Sequence, residues 1–170
     1  LQGAFALALE AAQNGLTLAR KLNDPDLIAN LQLNKASPLI RLDKMEEAES
    51  LSRESLSYFR NKKPGEKLFH CYQSLGAVLG NSKKYVDASL YADSAIAIAV
   101  QLNMPKLKMQ SMLQRANLAT KSSDFGYAEQ LLHEVKTFKH KTSEWSLLLE
   151  IERTGYLLDA AKGEYKNALQ

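Results

Sequence analysis

Cysteine is almost absent. Cys71 is the only one in 170 residues, which excludes an internal disulfide framework and any cysteine-rich zinc site. Glycine and proline are sparse, at 8 and 4 residues, which argues against the turn-rich sequence of an all-β chain. No apolar run reaches the roughly 18 residues of a membrane span, and no secretory leader is recognisable. Neither sign of charge prevails. The net charge of +3 is too small to demand a nucleic acid or a membrane surface as partner. Also missing are a glycine-rich phosphate loop, a Gly-x-Ser-x-Gly elbow and a His-Glu-x-x-His pair. These absences leave no sequence signal for catalysis, for a cofactor or for a bound metal. What the chain does have is alanine and leucine in abundance, both strong helix formers.

Self-similarity organises the rest. Shifted on itself by 40 residues, the chain aligns Ala8, Ala48, Ala88, Ala128 and Ala168 in one column. Three residues before each stand Phe5, Met45, Tyr85, Phe125 and Tyr165, all large and apolar or aromatic. Twelve residues before each alanine, from the second onward, stand Ala36, Gly76, Ala116 and Tyr156. The breaks keep the same phase. Pro25, Gly65, Pro105 and Trp145 share one column; Asp43-Lys44, Lys83-Lys84, Ser123-Asp124 and Gly163-Glu164 mark another. Each repeat therefore comprises two helices and two short turns, and a period of this length signals a stacked repeat architecture.

The spacing predicts helices near 2–22, 26–41, 44–60, 66–81, 84–102, 106–121, 125–139, 144–162 and 165–170, about nine in all. A full helix of about 16 residues is roughly 24 Å long. Tyr85, Ala88, Ala92, Ala95 and Ala99 follow one helical face. Asp24 before Pro25 reads as an N-cap with proline at the first helical position. Asp43 with Glu46 three residues on reads as a capping box. Pro38, inside a helix, should cost a hydrogen bond and bend it. The two small-residue columns should face each other across a close helix crossing, and the Phe/Met/Tyr column should fill the space between repeats. Trp145 reads as a packing plug at a repeat boundary.

This pattern resembles the tetratricopeptide repeat (TPR) family. The small residue of the first helix, the aromatic after the turn, the alanine three residues later and the closing proline are Gly76, Tyr85, Ala88 and Pro105 in the clearest copy. The resemblance covers essentially the whole chain as a single domain, with repeats at about 1–25 (partial), 26–65, 66–105, 106–145 and 146–170 (partial). The chain starts and stops inside helical patterns, which reads as part of a longer protein. The period of 40 exceeds the usual 34, and the early aromatic of the first helix survives as Tyr72 but not at Gln32 or Met112. The longer repeat looks like the subclass common in bacterial signalling proteins.

The resemblance implies an all-α solenoid, a right-handed superhelix whose groove is lined by the first helix of each pair and holds a peptide or another protein. Carried over by position, the groove columns contain Asn30, His70, Gln110 and Glu150; Leu33, Gln73, Leu113 and Arg153; and Ser37, Ala77, Asn117 and Leu157. Such a polar strip suits hydrogen bonds to an extended peptide backbone; it also suits a plain solvated face. The carboxylate clamp of chaperone-tail-binding members has no counterpart, since Leu33, Ser37, Ser74, Gln110 and Gln114 stand in its positions and none is cationic.

Several residues have a structural reading instead. His70 and Cys71 are neighbours, so they diverge by about 100° on a helix. His133 and His140 stand seven apart, too far to share an ion. Lys136, Lys139, His140 and Lys141 form a basic helix end that complements the helix dipole. By resemblance, the chain is expected to be the sensory or regulatory part of a bacterial two-component sensor histidine kinase. It would then be periplasmic, non-catalytic by itself and able to form a homodimer. The alternative is a cytoplasmic peptide-receptor transcriptional regulator or a general scaffold. Neither reading calls for a nucleic acid or direct membrane contact by this chain.

Overall fold

The computed structural model describes residues 2–138 and 144–163, and among them it contains eight α-helices and no strand. They are α1 (Gln2–Lys21), α2 (Pro25–Arg41), α3 (Met45–Phe59), α4 (Glu66–Asn81), α5 (Tyr85–Gln101), α6 (Pro105–Lys121), α7 (Phe125–Phe138) and α8 (Trp145–Ala161). Each lies within about a residue of its expected bounds. The ninth expected helix, at 165–170, lies outside the described residues with Tyr165 and Ala168, as do Lys139, His140 and Lys141.

The chain divides into two compact halves, residues 1–84 with α1–α4 and residues 85–170 with α5–α8. In the first half each helix packs on the next, and the first helices α2 and α4 also touch. In the second half α5 packs on α6 and α6 on α7, while α8 lies against both α6 and α7. This is the solenoid arrangement of antiparallel helix pairs. Short turns force sequence neighbours to be spatial neighbours.

The alanine columns explain the close approach. Ala36 and Ala48 are fully buried in one cluster with Leu39 and Val78. Ala116 and Ala128 hold the matching places in the second half, among Met112, Leu132, Val135 and Ile151. Phe125 from the aromatic column packs, half-buried, against that second cluster. Ala8, in the same column as Ala48, is exposed.

Five turns share a backbone device. Asn23, Asp43, Lys83, Asn103 and Ser123 have φ between 51° and 63°. Around Asp43, the Asp43 N–H donates to the Ile40 carbonyl and the Lys44 N–H to the Leu39 carbonyl. The other four turns make the same pair of bonds at the same spacing, as around Lys83 with Gly80 and Leu79. These are Schellman closures, which satisfy the last carbonyls of one helix while reversing the chain. The device overturns the expected capping box. Asp43 is the left-handed residue that closes α2, and the N-cap of α3 is Lys44, which makes no side-chain cap bond. Asp24 does cap α2, accepting from the Leu27 N–H at 2.9 Å, with Pro25 in the first turn. α2 continues past the buried Pro38 to Arg41.

Lysine fits the left-handed region poorly because its Cβ crowds the carbonyl oxygen, and glycine removes that contact at some entropic cost. Lys83→Gly is therefore expected to stabilise the protein by about 0.5–1 kcal/mol. Thermal unfolding should show a rise in Tm of about 2 °C.

Candidate functional site

The first helices of each half carry the side chains that the sequence marks for binding. In the first half these are on α2 and α4. Asn30, Leu33 and Gln73 are half-buried and His70 is exposed. The His70 ring meets the fully buried Phe69 edge-on, with centroids 5.1 Å apart. The next residue, Cys71, is buried, and that burial pushes its thiol up to about 12. It is a small core residue, and a thiol at that value is no nucleophile at neutral pH.

In the second half the strip lies on α6 and α8. Gln110, Asn117 and Glu150 are half-buried, and Arg153 is exposed and paired with Glu150 at 3.3 Å. The Asn117 amide reaches the Thr154 hydroxyl at 3.5 Å, and Thr154 itself donates to the Glu150 carbonyl at 2.8 Å. Leu113 departs from expectation. It is only 1% exposed and belongs to the core, because α6 is packed by α5, α7 and α8 and draws its apolar residue inward.

One more expectation needs correcting. Trp145 is not a plug: it stands at the start of α8 and is 84% exposed. Pro25 and Pro105 in the same column are exposed too, so this position opens outward at a helix start. Tyr156, in the small-residue column, is exposed as well. Its bulk meets no close crossing among the described residues.

The polar ties between helices were not legible from the motif. Lys35 on α2 bridges Gln13 on α1 and Glu47 on α3, at 3.1 and 2.7 Å. Eighty residues on in the repeat register, Arg115 on α6 pairs with Asp93 on α5 at 3.0 Å and lies over the Tyr127 ring of α7 at 4.8 Å. Ser52 bonds Ser74 at 2.8 Å, Ser55 donates to the Ala29 carbonyl at 2.8 Å, and Gln32 bonds Glu54. Arg53, by hydrogen bond, and Lys84 hold the Glu49 carboxyl below its ordinary value. Among the described residues no three His, Cys, Asp or Glu side chains gather as a metal site. His133 is exposed, and His140, seven residues on, lies outside the described residues.

No protein-family model and no curated protein matches the chain. Solved structures do. A kinesin light chain of Podosopora anserina, described by its nearly identical TPR-like repeats, superposes with a TM-score of 0.76 at 15% identity, covering 98% of this chain and 83% of that one. A variant of it gives 0.78 at 15% identity, covering 98% and 82%. BtubC (BKLC) from P. vanneervenii gives 0.75 at 18% identity, covering 97% and 69%. The fold is that of TPR-like repeats. At these identities the likeness concerns the fold alone.

Proposed function

We propose that this chain is a non-catalytic module that binds a protein or an extended peptide along the exposed side chains of its TPR first helices. The observation that carries the reading is that in each half by itself amides and charged groups stand on the first helices, α2 and α4 in one and α6 and α8 in the other, and are left at least partly open to solvent. Side chains of this kind can meet peptide N–H and carbonyl groups, whereas the opposite sides of the same helices are filled by the core.

Calorimetric titration with extended peptides tests this. Gln73→Ala and Asn117→Ala are each expected to weaken binding about three- to tenfold, the worth of one lost hydrogen bond. Binding untouched by both changes would remove the first helices from the site.

A finer reading assigns the module to the sensory or regulatory region of a bacterial two-component histidine kinase. Its support is the 40-residue period and the short Lys- and Asn-containing turns. A kinase core encoded in the same gene would agree with it. A DNA-binding helix-turn-helix in its place would favour the peptide-receptor regulator.

A further inference from the structure

The side of α5 that faces away from its buried alanines differs from the same side of the second helices α3 and α7. Ala88, Ala92, Ala95 and Ala99 are buried on one side. On the other, Val86, Leu90 and Val100 are 79%, 62% and 57% exposed, and Ala97 between them is exposed too. The matching places are polar on α3 (Glu46, Ser50 and Ser57) and lack any large apolar side chain on α7 (Gly126, Gln130 and Thr137), all of them exposed. The repeat fold therefore does not require apolar residues here.

The spacing is specific. Residues 86, 90, 93, 97 and 100 alternate steps of four and three, the heptad seam of a two-stranded coiled coil. One place is occupied by Asp93, whose carboxylate is half-exposed and is held from the core side by Arg115. Asp87 flanks the seam and is exposed, and α5 contains no lysine or arginine.

We propose that this seam docks an α-helix of another protein, one with apolar heptad positions and a lysine or arginine set to meet Asp93. Charge disfavours a second copy as occupant, even with Arg115 holding each Asp93 from the core side. Asp93 is at the middle of the seam, so a parallel in-register pair and an antiparallel pair centred on the seam both set Asp93 against its own copy. Like charges on a pairing seam destabilise it, while a cation from a different helix complements it. The seam spans about 21 Å at 1.5 Å per residue, matching four turns of a partner helix. It is independent of the first-helix strip, since none of its residues is shared.

The test uses two synthetic helical peptides of about three heptads with leucine at the a and d positions, one with lysine and its twin with glutamate at the central d position. Fluorescence anisotropy on the intact chain should show the lysine peptide binding at least about tenfold more tightly, a difference of about 1.4 kcal/mol. Leu90→Glu, an exposed change, should abolish that binding with the circular dichroism unaltered, and Asp93→Lys should reverse the order of the peptides. Gln73→Ala and Asn117→Ala should leave it intact, which separates this outcome from that of the peptide-binding reading. Equal binding of the twins, or binding that survives Leu90→Glu, would overturn the proposal. So would a dimer in sedimentation equilibrium that Leu90→Glu dissociates, because it would give the seam to a second copy.

Discussion

Phe69→Ala is expected to destabilise the first half by about 3–5 kcal/mol, the range for truncating a fully buried aromatic. Phe69 is the largest side chain of α4 with no exposure. Alanine there loses both the apolar burial and the contacts of the ring, and it leaves a void that neighbouring helices close only in part. Repeat arrays transmit such losses mainly to their neighbours. The effect should thus appear in hydrogen-exchange mass spectrometry as faster exchange throughout α2–α4. His70→Ala, one residue away at an exposed position, serves as control and should stay within about 0.5 kcal/mol of the parent. Equal effects from the two would mean that Phe69 does not anchor α4.

The second large effect concerns the alanine column. Ala128 is completely buried in the cluster that also holds Ala116, so nothing wider than a methyl fits without moving a helix. Ala128→Leu is expected to cost about 1–3 kcal/mol through overpacking, seen as a lower urea midpoint. The same change at Ala8, which shares the column but is exposed, should be neutral within about 0.5 kcal/mol. The contrast tests close packing directly, because helix propensity changes alike at both sites.

Much of this fold can be read from spacing alone. A stacked repeat imposes the same burial on its interior copies, so Ala48, Ala88 and Ala128 recur in step and the helix bounds follow. What escapes is whatever depends on a particular neighbour. Asp43 and Glu46 have the spacing of a capping box, but the chain reversal needs a left-handed residue at that point, and the backbone requirement prevails over the side-chain bond. Trp145 is large and aromatic, yet its place at the first turn of α8 faces outward. Leu113 shares a column with the exposed Arg153, and only the packing of three helices around α6 separates their fates. The first-helix strip is legible as a row of residue types. The pairing of Asn117 with Thr154 and of Arg153 with Glu150 is not, because it depends on side-chain reach across and along helices. The α5 seam is visible in the sequence once its column is compared between repeats; the comparison gains meaning from the exposure of those residues.

The turns bear on how such a chain diversifies. Asn, Asp, Lys and Ser all occupy the left-handed position, so the joint is specified by main-chain bonds and accepts many side chains. Genetic exchange between two copies with breakpoints at equivalent joints would retain the reversal on both sides whatever residues it brought together. Duplication, loss or shuffling of whole helix pairs is then structurally mild, and surfaces such as those of α5 and α6 can be inherited separately, each as a replaceable part.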